Sequence, residues 1–189
     1  MTLRGRAVVL EPLGLAHVPA LARVGLEPEL WRWINSAVAS EDDMRAYVEI
    51  ALDEAHRGVA LPFAIVDVAS GEAIGSTRYA NVVPEHRRLE IGWTWLAPAF
   101  QRTAANTETK LLLLAHAFET LGAQRVEFKT DARNLRSRAA LAGIGAVEEG
   151  TFRKHMITDT GRVRDSVYFS IVDDEWPTVR DRLRARLAR

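Results

Sequence analysis

The sequence predicts a mixed α/β fold, in which one sheet of about seven strands carries helices on both faces. Three observations predict it. Strand and helix patterns follow one another in the order β–α–α–β–β–β–α–β–α–β–β–α. The 189 residues are 48% hydrophobic, which is enough for a substantial core. Because no repeat, linker or low-complexity segment divides the chain, we predict one domain over residues 1–189.

Strands are predicted where β-branched, aromatic and other apolar residues run between turn residues. Seven such runs lie at about residues 6–13, 61–68, 73–82, 89–95, 125–130, 147–154 and 164–172. Ser70 and Gly71 separate the second run from the third, and residues 159–161 separate the last two. Both connections are short enough for hairpins, so we expect antiparallel pairs there.

Helices are predicted where apolar residues recur with a helical period between capping and stop residues. Five such patterns lie at about residues 15–24, 41–56, 106–121, 134–142 and 174–188. Asn134 and Asp174 stand where N-caps are expected, and Pro177 follows in the first turn of the last helix. Gly122 stands where the third helix should end.

Charge and composition exclude several classes of protein. Twenty-five basic residues balance 25 acidic ones, so no global field favours nucleic acid or a membrane as partner. The absence of cysteine excludes disulfides, thiolate metal sites and a cysteine nucleophile. The five histidines show no metal-ligand spacing, so we expect no metal. The first residues lack the apolar core of a signal peptide, and we expect a cytoplasmic protein of bacterial type.

The most informative stretch lies between Arg88 and Ser137. A strand over residues 88–96 is followed by the loop of residues 101–106 and then at once by a long apolar helix. Such a helix start presents free backbone N–H groups and the positive end of the helix dipole at one point, an arrangement that suits a pyrophosphate. Asn134 and Ser137 open another helix after the next strand, at the same edge of the sheet.

Several short motifs in this order resemble the GNAT N-acetyltransferase superfamily. They are Leu89-Glu-Ile-Gly-Trp93, Asn106-Thr-Glu, Ala132-Arg-Asn-Leu-Arg-Ser137 and Leu141-Ala-Gly-Ile-Gly-Ala146. The resemblance covers nearly the whole chain. Within the superfamily, the chain resembles the branch of ribosomal-protein N-terminal (alanine or serine) acetyltransferases. It implies a mostly antiparallel twisted sheet with a splay between the fourth and fifth strands, where acetyl-CoA lies as cosubstrate.

The resemblance also implies which residues hold acetyl-CoA. Backbone groups of the fourth strand pair with the pantetheine arm, and the loop after that strand holds the pyrophosphate. The implied cofactor-binding residues are Trp93, Thr94, Trp95, Leu96, Gln101, Arg102, Thr103, Ala104, Ala105, Asn106, Thr107, Asn134 and Ser137. The loop lacks the glycines that the family usually has, and Arg102 either supplies donors to the phosphates instead or fills the site.

Glu90 and Ser137 are the predicted catalytic residues. By strict alternation, Glu90, Gly92 and Thr94 face one side of their strand, and Glu90 lies near the splay, where it can accept the proton of the amine through water. The resemblance places Ser137 near the sulfur of CoA, as a donor to the departing thiolate. The simpler alternative for Glu90 is a strand residue that faces solvent or pairs with Arg88 or Arg78. For Asn134 and Ser137 it is helix capping.

The acceptor side is predicted around Trp31 and Trp33, in the segment that covers the acceptor in the family. The two tryptophans cannot both face the core of one helix at that spacing, so we expect one of them to line the pocket. Glu90, Asp131 and Asp165 are candidates for acidic walls that attract a cationic amine. For Tyr168 we expect core packing rather than catalysis.

The predicted function is transfer of acetyl from acetyl-CoA to a primary amine, in a protein N-terminus or a small molecule, by direct attack. The alternative is a catalytically degenerate GNAT-like module that binds CoA or another protein, and a weaker one is an enzyme for a longer acyl-CoA. Family members often dimerise, so a homodimer is possible.

Overall fold

The computed structural model describes residues 1–188, and eight strands form its single sheet. The strands are β1 (Leu3–Arg4), β2 (Val8–Pro12), β3 (Ala60–Asp67), β4 (Ala73–Val83), β5 (Arg88–Leu96), β6 (Arg125–Asp131), β7 (Val147–Ile157) and β8 (Val163–Val172). Their order across the sheet is β1-β2-β3-β4-β5-β6-β8-β7. Neighbours are antiparallel except β5 and β6, which are parallel. The predicted mixed fold is confirmed.

Six α-helices join these strands. They are α1 (Val18–Gly25), α2 (Pro28–Trp31), α3 (Glu41–His56), α4 (Ala104–Ala115), α5 (Leu135–Ile144) and α6 (Trp176–Leu187). A π-helical turn, His116–Thr120, extends α4. None of the helices within residues 1–188 combines the length and apolar character that a membrane crossing needs. The predicted domain ends at Arg189, which lies outside the described residues.

The strand beyond the predicted seven is the short β1. It pairs with β2 at Leu3 opposite Leu10 and at Arg4 opposite Val9. A buried carboxylate of α4 holds the turn between the two strands, because Glu108 accepts hydrogen bonds from the N–H groups of residues 6, 7 and 8 at 2.6–2.9 Å. Two residues are too few to give a strand pattern in the sequence, so this element depends on a contact from far along the chain.

Helices cover the two faces of the sheet unequally. One face, the α4 face, packs against α4, α5 and α6 around a core that includes Leu89, Ile91 and Phe128. The opposite α3 face packs against α1, α2 and α3, with Trp31 and Trp95 in its core. That second core reaches β2, β3, β4 and the end of β5. Over the first half of β5 and over β6, β8 and β7, the α3 face opens into a cleft.

The helix after β5 begins earlier than the sequence predicts. Thr103 caps it, since its Oγ1 accepts a hydrogen bond from the N–H of Ala105 at 3.2 Å, and Ala104 is the first helical residue. The prediction that a loop extends to Asn106 is therefore wrong. Thr103 is a good capping residue and alanine is the best helix former, so the local chemistry explains the earlier start.

Candidate active site

The strands β5 and β6 pair over three residues and then separate. Arg88–Glu90 lie in parallel register with residues 125–127, while β5 runs on to Leu96 and β6 to Asp131. Beyond Glu90, the edge of β5 that faces β6 presents backbone N–H and C=O groups to a gap, which we call the splay. An extended arm with amide groups can pair with such an edge as an added strand does.

A β-bulge at Trp93 shapes this edge. Arg78 of β4 pairs with Gly92, and the next pair is Ser76 with Trp95, so β5 has one residue more than β4 in this interval. Trp93 takes up the extra residue with a left-handed φ of 49°. A bulge of this kind bends a strand and frees backbone groups from the ladder.

The bulge changes which side chains share a face. Trp93 lies on the α3 face, with its ring 5.0 Å from the guanidinium of Arg78, whereas Thr94 lies on the α4 face and accepts a hydrogen bond from Lys110. The prediction that Thr94 shares a face with Glu90 is therefore wrong. Strict alternation holds only in an unbroken ladder, and the extra residue reverses it.

The loop between β5 and α4 is tied to the end of β5 and to α5, the helix that follows β6. The side-chain amide of Gln101 donates to the carbonyl of Leu96 at 2.9 Å, and its oxygen accepts from Arg136 of α5 at 2.7 Å. Arg102 follows with a left-handed φ of 62° and is exposed. The loop thus leads from the end of β5 directly to the first turn of α4.

The missing glycines do not distort this loop. Arg102 alone within residues 97–107 has a left-handed φ, and Ala104 is the first residue of a regular helix. Alanine at that position therefore needs no unusual backbone conformation. The free N–H groups of the first turn of α4, together with the exposed guanidinium of Arg102, make a donor set that fits a pyrophosphate.

Asn134 and Ser137 lie at the other side of the splay, where β6 leads into α5. The side-chain oxygen of Asn134 accepts a hydrogen bond from the N–H of Ser137 at 3.0 Å, so the predicted N-cap is confirmed. The hydroxyl of Ser137 is half-buried in the first turn of α5. Contact of either residue with acetyl-CoA stays a prediction.

The side chain of Glu90 lies on the α3 face and lines the cleft, and Glu90 is only 2% exposed. Its Oε2 accepts hydrogen bonds from the amide of Asn81 at 2.7 Å and from the ammonium of Lys129 at 3.3 Å. Asn81 reaches it from a second bulge, in β4, with a left-handed φ of 47°. Two strands therefore fix the carboxylate of Glu90 from either side. Neither Arg88 nor Arg78, the partners considered from the sequence, pairs with it.

The cleft has a volume of about 820 Å³ and an aromatic wall. Phe152, His155 and Tyr168 pack against one another with ring centres 4.8–5.7 Å apart. Burial lowers the pKa of His155, and the positive charge of Lys129 is the second cause. The imidazole is therefore neutral at pH 7. Tyr168 is half-buried and lines the cleft, so the expectation of core packing is wrong for its side chain. Its neighbours along β8 fill the core instead.

Ion pairs form the rim of the cleft. Arg125 lies between two carboxylates, Glu127 at 2.9 Å and Glu149, and Arg88 also contacts Glu127, at 3.4 Å. The hydrogen bond to Glu149 raises the pKa of Arg125, so this guanidinium stays charged. The rim carboxylates thus pair with arginines, whereas Glu90, at the floor of the cleft, pairs with Lys129.

The two tryptophans of the predicted acceptor segment lie in different surroundings. Trp31 is 5% exposed, and its ring packs against Tyr47 and Trp95, while its indole N–H donates to the carbonyl of Gly25. Little of its surface can reach an acceptor. Trp33 is half-buried, between the guanidinium groups of Arg32 and Arg162. Of the pair, only Trp33 offers a face outside the core.

The other two carboxylates predicted to line the acceptor pocket bind other groups of the protein. Asp131 is buried at the end of β6 and pairs with Arg162. Asp165 is exposed and accepts a hydrogen bond from the N–H of Lys154 at 2.6 Å. Within residues 1–188, no cluster of His, Cys, Asp or Glu side chains has the arrangement of a metal site.

Sequence reasoning did not select Asn81, Lys129 or Lys110. Asn81 and Lys129 orient Glu90, and Lys110 lies on the α4 face of the splay. The only sequence signals were an asparagine inside an apolar strand, which tolerates a left-handed φ, and a lone lysine in an apolar helix. These signals do not reveal which residue each side chain contacts, because the contacted residue lies in a different strand or helix.

Comparison with known proteins agrees with this geometry. The family profile of the acetyltransferase (GNAT) domain matches residues 7–147. The solved structure of a candidate acetyltransferase from T. thermophilus is 43% identical, covers 98% of this chain and 96% of its own, and superposes with a TM-score of 0.90. Mycobacterium smegmatis RimJ, solved in complex with CoA-disulfide, is 27% identical over 98% of this chain and 93% of its own, with a TM-score of 0.81.

A curated relative from Bacillus subtilis (strain 168) is YdaF, a candidate ribosomal N-acetyltransferase. It is 33% identical over 106 residues, which are 56% of this chain. The aligned segment spans 57% of the length of YdaF, a little over half of that protein.

Proposed function

This chain belongs to the GNAT acetyltransferase domain family and is an acetyl-CoA-dependent acetyltransferase, and we propose that it acetylates a primary amine by direct attack on the thioester. The observation that carries the proposal is the position of the splay. On one side of the splay lies the first turn of α4, which suits phosphates. On the other side lies the cleft, with the carboxylate of Glu90 at its floor. Donor and acceptor sites thus meet where β5 and β6 part.

The residues at this meeting point supply what direct attack needs. When bound, acetyl-CoA contributes an activated acyl group, so positioning does much of the catalytic work. Glu90 accepts the proton that the acceptor amine must lose, directly or through one water. Asn81 and Lys129 hold its carboxylate in one orientation, and the left-handed backbone of Asn81 serves that contact. The chain has no cysteine to form a thioester with the acyl group, which agrees with direct transfer.

The acceptor is proposed to be a protein N-terminus or a small-molecule amine. The cleft lies on an open face of the sheet, so the end of an extended chain can enter it. The name of YdaF, a candidate ribosomal N-acetyltransferase, supports a protein as the acceptor. A cytoplasmic location and a homodimer, both expected from the sequence, stay predictions.

Titration calorimetry with acetyl-CoA tests the donor half of this proposal. We expect one acetyl-CoA per chain with a micromolar dissociation constant, because Arg102 takes the left-handed position and Ala104 fits the helix. Absence of binding at millimolar acetyl-CoA would favour the degenerate module instead. Comparing acetyl-, propionyl- and succinyl-CoA in the same titration separates an acetyltransferase from an enzyme for a longer acyl group.

A panel of amines tests the acceptor half. The protein is incubated with acetyl-CoA and one of three kinds of acceptor, and the masses of the products are measured by mass spectrometry. The acceptors are peptides with a free N-terminus, the same peptides with a blocked N-terminus, and simple primary amines. We expect acetylation at the free amine and none on blocked peptides without lysine. Acetylation of hydroxyl groups instead of amines would contradict the proposed reaction.

A further inference from the structure

Helix α4 contains two ionisable side chains, and both are buried. Glu108 has an evident structural role, since its carboxylate holds the β1–β2 turn. Lys110 has no comparable role. It is 6% exposed, its Nζ donates one hydrogen bond, to the hydroxyl of Thr94 at 2.9 Å, and it lies 5.6 Å from the ring centre of Phe128. An ammonium has three N–H donors, so Thr94 accounts for one of them.

The two contacts of Lys110 place its Nζ at the splay. Thr94 belongs to β5, just beyond the bulge, and Phe128 is the first residue of β6 after the segment that pairs with β5. The ammonium therefore lies between the two strands at the point where they part. It approaches from the α4 face, while Glu90 approaches from the opposite face.

A buried cation without a counter-ion is costly, and proteins rarely retain one without a use. Within residues 1–188, Lys110 forms no ion pair, and burial alone lowers its pKa to about 7. Its contacts are neutral, namely the ring of Phe128 and the hydroxyl of Thr94, which lies 2.7 Å from the hydroxyl of Thr77. Near neutral pH this side chain can both hold and give up a proton.

We propose that Lys110 is a catalytic residue, whose Nζ contacts the sulfur of the bound thioester and gives that sulfur a proton as it departs. This inference rests on the proposed function, because it requires acetyl-CoA in the splay. It differs from the prediction made for Ser137, which lies in the first turn of α5, after the end of β6.

The atoms and charges of the step balance. The acceptor nitrogen forms a bond to the acetyl carbon, the C–S bond breaks, and its electron pair goes to sulfur. The proton on Nζ moves to sulfur, which leaves as the thiol, and Lys110 becomes a neutral amine. The proton lost by the acceptor passes to Glu90 and then to solvent, and solvent protonates Lys110 again.

The test compares two ligands that differ only at sulfur. CoA carries the thiol, and desulfo-CoA carries a hydrogen in its place, so the ratio of their dissociation constants isolates contacts with sulfur. Calorimetric titrations at pH 8 use the wild type, the variant Lys110→Met and, as a matched control, Lys154→Met. Methionine keeps all but one heavy atom of the length of lysine and has no charge. The side chain of Lys154 is exposed on β7 and does not line the cleft.

We expect the wild type and Lys154→Met to bind CoA roughly tenfold more tightly than desulfo-CoA. At pH 8 the neutral amine of Lys110 can take the proton of the thiol, and the resulting hydrogen bond between ammonium and thiolate is charge-assisted. In Lys110→Met the ratio should fall to about threefold or less, with the affinity for desulfo-CoA kept within about threefold of the wild type. That retained affinity also shows that the variant is folded.

A ratio in Lys110→Met equal to that of the wild type would overturn the assignment of Lys110. If the affinities for both ligands also fall by the same factor, the role of Lys110 is structural alone. If the wild type binds neither ligand, the proposed function itself fails. The two failures are therefore distinguishable in one set of titrations.

Discussion

Glu90 shows how a single residue acquires its setting from other strands. Its position beside the splay follows from the sequence, but its burial does not, because Asn81 and Lys129 come from β4 and β6. A carboxylate that is 2% exposed and held by two donors keeps one orientation. Such rigidity suits a group that must receive a proton at a fixed place.

Replacing Glu90 by Gln should lower kcat/KM for acetylation by roughly 100-fold or more, since general-base help contributes 10²–10⁴-fold. The dissociation constant for acetyl-CoA should stay within about twofold, because Glu90 lies on the acceptor side. Steady-state kinetics and calorimetry measure the two quantities. Glu49→Gln, on the exposed face of α3, is the control. An unchanged kcat/KM in Glu90→Gln would remove its catalytic role.

Arg102 combines a strained backbone with a useful charge. Replacement by Gly should raise the free energy of unfolding by about 1 kcal/mol, because a left-handed φ costs an L-residue roughly that amount. The same change should weaken acetyl-CoA binding about three- to tenfold, since a guanidinium near the phosphates is lost. Denaturant unfolding and calorimetry test both effects.

Ala104→Gly, two residues further along at the start of α4, is the matched comparison. Ala104 is helical, so glycine should reduce the free energy of unfolding, by up to about 1 kcal/mol, and leave the affinity for acetyl-CoA unchanged. If Ala104→Gly instead tightened binding tenfold, the missing glycine would be a real defect of the loop.

At the scale of elements, the predictable features are those encoded locally. Asn134 caps α5, and α3 runs from Glu41 to His56 as predicted, because caps and helical periods depend on neighbouring residues. The bulges at Trp93 and Asn81 are not encoded in this way. They arise from the register between strands, which one strand pattern does not reveal.

Lys110 of α4 should make the stability of the protein depend measurably on pH. Its pKa is lowered from 10.5 to about 7 by burial, so between pH 7 and 10 the unfolded chain binds more protons than the folded one at this site. Stability from this group therefore rises with pH across that window and is lowest below pH 7, where the buried lysine is charged.

The comparison of wild type with Lys110→Met isolates this contribution. The difference in free energy of unfolding between the two should change with pH by up to ~1.4 kcal/mol per unit between pH 7 and 9, in favour of the wild type as pH rises. Urea unfolding at several pH values measures it. A difference that does not vary with pH would show that Lys110 titrates normally in the fold.

At the scale of the whole molecule, the order of elements was sufficient to predict the family and the mixed sheet, and both are confirmed. The open cleft was not predictable. It exists because α1, α2 and α3 cover only one end of their face, and the sequence does not state how far a helix layer extends. The same is true of Tyr168, whose strand pattern resembled that of a core residue.

Acetyl-CoA should stabilise the whole molecule as well as its loop. A ligand at 100 times its dissociation constant adds about 2.7 kcal/mol, which corresponds to a rise in Tm of roughly 5–10 °C for a chain of this size. Thermal unfolding with and without acetyl-CoA measures the shift, and amide hydrogen exchange should show protection along β5 and the first turn of α4. A rise in Tm with protection confined to another part of the molecule would contradict the location of the donor site.

The most direct test of the account is the release of free CoA when the protein is mixed with acetyl-CoA and a primary amine, followed with a thiol reagent. We predict release that requires the free amine, stops when that amine is already acetylated, and falls roughly 100-fold in Glu90→Gln. Release at the same rate without any amine, or none with any amine although acetyl-CoA binds, would contradict acetyl transfer between the splay and the cleft.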